Sequence, residues 1–274
     1  MEAVSCTAQW TAAARALESE RDDRLFDDPF ARTLAGDTGF ALLKRYTGAG
    51  TVPFLALRTK YLDDQALAAV EHSGARQVVF VAAGMDTRAW RLPWPQDTVI
   101  YELDRPALLE AKNAQLVDVP LVAGRRRHAV AVDLAGDWAE SLTEAGFRPA
   151  EPTVWVMEGL LFFLPEAAVR QVLATLLRLS APGSVLAGDM ASRASLTNPM
   201  ARGFLTALRE DGAAWQFGHD EPEEFLRSCG WHTTKTLQPG EEGASYGRWP
   251  YPVIARKIRD IPRSFFFTAV PSTD

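Results

Sequence analysis

The sequence predicts an α/β protein with a doubly wound, mainly parallel sheet, and three observations carry that expectation. Short continuous apolar runs alternate with amphipathic segments of helical period. The first run ends in a turn of small residues, Ala82-Ala83-Gly84. Acids then close the next three runs, at Asp104, Asp133 and Glu158. Ligands of open parallel sheets lie beyond the carboxyl ends of the strands, so the same pattern marks where a site belongs.

The elements follow in order. The first sixty residues read as short helices at 10–17, 29–34 and 40–46, separated by charge clusters at 18–23 and 27–28. Gly48 and Gly50 break this pattern before a longer helix over 54–72. Strands follow at 77–82, 98–103, 128–132, 153–157 and 184–188, apolar enough to be covered on both faces. Helical segments at 106–116, 137–145 and 166–179 lie between them, and Pro182-Gly183 stops the last. The stretch 192–218 interrupts the alternation with a long, aromatic-bearing connection, the form of a lid. A helix capped by Asp220 and ended by Gly230 comes next, then strands at 232–237 and 265–270. No repeat or linker divides the chain. It reads as one domain, with a helical cap over 1–58, a core over 59–191, the lid over 192–219 and the rest of the core over 220–274.

Bulk properties narrow the function. The 274 residues are 47% apolar, enough for one large core. Net charge is −6, which argues against a nucleic-acid partner. The one basic run, Arg125-Arg126-Arg127, reads as a solvated turn before a strand. Cys6 and Cys229 lie too far apart in sequence for a CxxC pair, which suits a reducing cytoplasm, and the four histidines have no metal-ligand spacing. The first ten residues lack the apolar stretch of a secretory signal, and no run reaches the length of a membrane span. The expectation is a cytoplasmic protein with no metal and no membrane partner. The oligomeric state is left open.

The strand ends carry the chemistry. Small residues at 82–84 let backbone approach a ligand and the next helix point N–H groups at it, or simply allow a tight packing turn. Asp104, twenty residues after Gly84, stands where nucleotide-binding sheets accept hydrogen bonds from ribose hydroxyls, or else caps the helix at Pro106. Glu102 shares its strand parity and reads as its support. Asp133 can accept from an adenine amino group or cap the following helix. Glu158, at the end of a central strand, needs a partner, either a ligand ammonium or an internal cation. A nicotinamide-dinucleotide enzyme needs only the first acid and more often shows GxGxxG. The matching positions here read Ala82, Gly84 and Thr87.

The segment from Val81 to Leu92, with its Asp86-Thr87-Arg88, resembles the signature of the leucine carboxyl methyltransferase-like enzymes, in particular their bacterial small-molecule branch. Tyr101-Glu102-Leu103-Asp104-Arg105-Pro106, Val132-Asp133-Leu134 and Glu158-Gly159 followed by 160–165 match as well. So do Trp10 to Arg15, Asp27 to Ala31, Leu57 to Lys60, and Phe225-Leu226 with Gly230-Trp231. The resemblance covers nearly the whole chain. It implies a class I methyltransferase (Rossmann-like) fold, about seven strands with the last antiparallel, and S-adenosyl-L-methionine as cofactor. By that analogy Arg58 pairs with the donor carboxylate, and Ala82 and Gly84 pass beneath its methionine part. Asp104 holds the ribose hydroxyls, Asp133 and the Leu134 backbone the adenine, and Glu158 lies near the amino group. Arg88 and Arg91 are expected to fix the loop through carboxylate pairs. Ala82 replaces the loop's first glycine and is expected to be tolerated on the condition that its φ is negative. Phe162-Phe163 stands where relatives often carry a tyrosine.

The implied chemistry is in-line attack on a sulfonium methyl, for which the protein supplies alignment and a dry site. A carboxylate acceptor arrives ionised and needs no base. A phenol or enol needs one, and His219 is the candidate, its other reading being an exposed loop histidine. Phe162, Phe163, Phe204, Trp215 and Phe217 suit an apolar or planar acceptor, or else pack in the core. The expectation is O-methylation of a small organic molecule, at a carboxylate in preference to a hydroxyl, of the kind found in natural-product biosynthesis. The alternatives are a donor-binding protein with another activity and an NAD-dependent oxidoreductase.

Overall fold

Val78 and Phe80 face one side of strand β1 (Gln77–Val81) and Val79 and Val81 the other, all buried, so β1 is stable only between two covering layers. The computed structural model describes residues 3–46 and 50–272, with side chains from residue 7, and the expected break at Gly48 lies outside them. Strand β1 sits near the middle of a seven-stranded sheet of order β3-β2-β1-β4-β5-β7-β6. Its partners are β2 (Val99–Asp104) and β4 (Thr153–Met157), beyond which lie β3 (Arg126–Ala131) and β5 (Val185–Ala191). These five strands are mutually parallel. Strand β7 (Ser264–Pro271) is antiparallel to both β5 and β6 (Trp231–Leu237), with an irregularity between Thr233 and Lys235. The expected antiparallel last strand is therefore present. The strand order reverses between β1 and β4, where doubly wound sheets open a ligand crevice.

Two helical layers complete the sandwich. On one face α3 (Thr51–Ser73) buries Leu57, Tyr61, Leu62, Ala66 and Val70 against Val78, Phe80 and Val156. It ends at Gly74, whose φ of +68° lets its N–H reach the Val70 carbonyl. On the other face α7 (Glu166–Arg178) buries Val169, Val172, Leu173 and Leu176, a stripe at i, i+3, i+4 and i+7. It packs there with α6 (Ala139–Glu144) and α9 (Pro222–Ser228). The cap is α1 (Ala3–Ser19) and α2 (Ala31–Arg45). Gly36 has φ +53° inside α2, so the two short helices expected there are two halves of one kinked element. Short helices α4 (Arg88–Arg91) and α5 (Pro106–Gln115) follow β1 and β2.

Several expectations are corrected. Helix α3 crosses the boundary drawn at 58, so the cap and the core share one helix. The connection 192–219 is not an open loop. It holds two 3₁₀ turns (Arg193–Thr197 and Pro199–Ala201) and α8 (Arg202–Glu210), whose Leu205 and Leu208 are buried. Asp220 does not cap α9, because Glu221 holds that position and the Asp220 carboxylate accepts the Arg193 N–H at 2.9 Å. Arg126 and Arg127 belong to β3 itself, and Arg127 donates to buried Glu102 at 2.6 Å. Among the described residues no helix is long and apolar enough to cross a membrane.

Candidate functional site

The turn after β1 is held by backbone. Ala83 N donates to Leu103 O at 3.0 Å and Asp86 N to Ala83 O at 2.9 Å, which curls 82–86 over the end of β2. Both Ala82 (φ +59°) and Gly84 (φ +51°) take the left-handed conformation. The condition placed on Ala82 is thus not met, and its side chain sits where glycine is at ease and alanine costs roughly 1–2 kcal/mol. At Gly84 a Cβ would come within 3.1 Å of Ala8 Cβ, so this position has no room to spare.

Asp104 faces that turn from the end of β2. Its Oδ2 accepts Gly84 N at 2.7 Å and its Oδ1 accepts Arg105 N at 2.8 Å. It is not the cap of α5, where Arg105 holds the N-cap position and no side chain caps the helix. Burial raises the Asp104 carboxyl above the usual carboxylate range despite those two N–H donors. Each oxygen keeps lone pairs for further donors, which ligand hydroxyls can supply. Glu102, on the same strand, is turned away into a buried ion pair with Lys112 at 2.7 Å and Arg127 at 2.6 Å.

A lattice of buried charges braces the next strand end. Arg58 of α3 donates from Nε to Glu158 at 3.1 Å and from Nη1 to Asp189 of β5 at 3.2 Å. Asp189 also accepts Gly159 N at 2.6 Å. Arg88 reaches Asp63 at 2.6 Å, Glu158 at 2.7 Å, and Asp86, while Arg91 holds both oxygens of Asp63 at 2.6 and 2.7 Å. Both arginines fix the loop through carboxylates, as expected. Burial works against the ionised Glu158, but Arg88 and Arg58 outweigh it and hold its carboxyl below the usual range. Asp86, also against burial, is held by Arg88 at about 2. Arg15 of α1 links this lattice to the cap, bonding Asp28 at 2.9 Å and the Met85 carbonyl. Asp63, Asp189 and the Arg15–Asp28 pair join this lattice without a local motif that marks them. For Asp189 the only signal was an acid following an apolar strand run.

These strand ends open onto a cavity of about 1080 Å³. Arg58, Ala82, Gly84, Asp104 and Glu158 all line it, as do Phe162, Phe163, Phe204 and Trp215. The aromatics form one wall, with Phe162 and Trp215 centroids 4.5 Å apart and Trp215 and Phe204 5.5 Å. Phe204 reaches Trp10 of the cap at 5.9 Å. A further wall comes from the β6–β7 connection, 238–263, including Trp249 and Tyr251, within the segment 220–274 expected to complete the core. Four expected residues are not among the cavity-lining residues. Asp133 is exposed, its carboxylate closing a turn with Ala135 N at 3.0 Å, and Leu134 packs beside the core. Phe217 is buried against Phe225 at 4.9 Å. His219 lies 5.2 Å from the same ring, and its Nδ1 is taken up by the Glu221 backbone.

The arrangement fits a nucleoside-bearing cationic donor. Asp104 offers oriented acceptors, the two left-handed residues let backbone pass close, and acids line the strand edge. Arg58 keeps Nη2 without a hydrogen-bond partner among the described residues, so it can still take a ligand carboxylate.

Comparisons with known proteins agree. Residues 8–177 match the profile of the leucine carboxyl methyltransferase family. A putative S-adenosyl-L-methionine-dependent methyltransferase of Mycobacteroides abscessus is 37% identical over 267 residues, 90% of this chain and 89% of that one. Another, of Parafrankia sp., is 46% identical over 193 residues, 67% of this chain and 62% of the relative. Among solved structures, a duf574 family protein from Streptomyces avermitilis superposes with a TM-score of 0.65 at 14% identity, covering 97% of each chain. A putative methyltransferase from Thermobifida fusca gives 0.58 at 17% identity, covering 95% and 94%. Those two likenesses speak for the fold.

Proposed function

We propose that this chain, which belongs to the leucine carboxyl methyltransferase family and is an S-adenosyl-L-methionine-dependent methyltransferase, methylates an oxygen of a small organic acid. The bound donor supplies an electrophilic methyl group on sulfonium. The chain's own residues do the rest. Asp104 orients the ribose, Arg58 takes the donor carboxylate, and the Arg88–Asp63–Arg91 lattice fixes the loop on which alignment depends. The aromatic wall keeps water from the reacting atoms.

One observation carries the choice of a carboxylate. Among the described residues that line the cavity there is no histidine, lysine or cysteine, and His219 is engaged elsewhere. Asp86 and Glu158 are held ionised by arginines, which makes them poor bases. Asp104, the remaining acid of the lining, is taken up by two backbone N–H groups and the ribose, so an acceptor that arrives already ionised suits this site better than a phenol or enol. A metabolite of natural-product type with an apolar body and a free carboxyl matches the wall opposite. The test is donor turnover against a panel of carboxylic acids and phenols. The expected product is a methyl ester that alkali cleaves to methanol, and an alkali-stable methyl ether would overturn the proposal.

A further inference from the structure

Eight large apolar side chains stand exposed among the described residues, and four of them line this one cavity: Met200, Tyr251, Val253 and Ile254. Scattered singly, such residues carry no meaning, but grouped on a concave site they mark a surface made to be covered. They come from two segments far apart in sequence. Met200 lies in the turn Pro199–Ala201 and is 95% exposed. The other three lie in the β6–β7 connection and are 40–42% exposed. Behind them Trp249, in ring contact with Tyr251 at 5.3 Å, adds to an apolar lining that includes Trp215 and Phe162. The cavity, at about 1080 Å³, also exceeds the roughly 300–1,000 Å³ that one drug-sized ligand occupies. It has room for a donor and a second sizeable molecule.

We infer that the acceptor is amphiphilic: its carboxylate is presented at the strand edge, while an extended apolar portion follows the aromatic wall and leaves between Met200 and 251–254. The occupant is a ligand and not a second copy of the chain, because the exposed apolar residues are continuous with the lining of the donor cavity. This rests on the methyl-ester reading above, and the test keeps the two apart.

The probe is cis-parinaric acid, a fatty acid whose fluorescence rises in apolar surroundings, added to protein carrying S-adenosylhomocysteine. The wild-type protein should take it up saturably. The double variant Met200→Glu, Ile254→Glu should bind it at least about tenfold more weakly, since charge replaces apolar contact, with S-adenosylhomocysteine affinity unchanged in calorimetry. No saturable uptake by protein that binds S-adenosylhomocysteine normally overturns the inference, as does equal uptake by both proteins. A wild-type dimer that these substitutions turn into a monomer, with uptake unaltered, makes the rim a contact between copies and overturns it too. Uptake without ester formation from any acid upholds the apolar channel and sinks the methyl-ester reading alone.

Discussion

Asp104→Asn separates stability from donor binding. In the native protein each Asp104 oxygen accepts one backbone N–H, from Gly84 and Arg105. An amide has one oxygen, so its NH₂ must face one of those N–H groups, and one bond is lost at a cost of roughly 1–3 kcal/mol. Against that stands the raised Asp104 pKa. A carboxyl whose folded pKa lies above its unfolded value favours the fold at low pH and loses that contribution as pH rises through the folded pKa. At neutral pH the ionised group therefore burdens the fold, and the neutral amide relieves that burden. The two effects oppose each other, so the variant should lose less stability than the roughly 1–3 kcal/mol of the missing bond alone. Donor affinity has no such offset. Hydroxyls that bond a carboxylate lose roughly 1.5–3 kcal/mol on meeting an amide, about 10- to 150-fold in affinity. Calorimetry with S-adenosylhomocysteine measures this directly. In the wild-type protein affinity should also fall as pH drops through the raised Asp104 pKa, because protonation removes the charged acceptor, and the variant should lack that limb. A folded variant that binds as tightly as wild type, or that keeps the same acid limb, refutes the assignment of Asp104 to the donor.

The remaining predictions concern the loop and its braces. Ala82→Gly relieves a left-handed alanine worth roughly 1–2 kcal/mol but adds about 0.5–1 kcal/mol of unfolded-chain entropy, so thermal unfolding should show a small gain. Ala82→Val should lose stability instead, and the reverse order would remove strain from the loop. Arg88→Lys keeps the charge but cannot reach Asp63, Asp86 and Glu158 together. Denaturant unfolding should show a loss of about 3 kcal/mol or more, the scale of a broken buried pair. Asp86 has a lowered folded pKa of about 2, so its contribution is present above its unfolded pKa near 3.9 and lost as pH falls from there. Wild type should lose about 2 kcal/mol more than Asp86→Asn across that window, and parallel acid curves for the two proteins would contradict the pairing.

Strands β1, β2, β4 and β5 were legible because burial on both faces demands an unbroken apolar run, whereas β3, at the sheet edge, is largely exposed and begins with two arginines that local pattern assigns to a turn. The place of Asp104 and Glu158 on the cavity was legible because an acid at the end of such a run stands at the ligand edge of the sheet, but the same rule misplaced Asp133, which only closes a turn. Helix α8 was not legible. Only Leu205 and Leu208 of its nine residues are buried, the second against a cap that is distant in sequence, and so short a stripe cannot be told from a loop. Asp63 was hidden by its neighbour. The two acids are adjacent on α3, yet Asp64 takes Lys60 and Tyr246 near the surface while Asp63 turns inward to two arginines. Local pattern assigns a face to such a residue, and only the tertiary partner decides what that face meets.

The conformation of Ala82 shows the same division between local and long-range causes. Nothing in Ala82-Ala83-Gly84 forces a positive φ on an alanine, and local sterics oppose it. What imposes it is the neighbouring strand, through Ala83 N on Leu103 O and Gly84 N on Asp104. The first of these bonds curls the turn and the second, made by the next residue, aims the Asp104 carboxylate, so strain in the loop and orientation of the acid arise side by side. Loosening β2 at Leu103 should therefore relax Ala82 and misalign Asp104 in one step. A residue that violates its own backbone preference at the end of β1 is here a consequence of building the donor site at the end of β2.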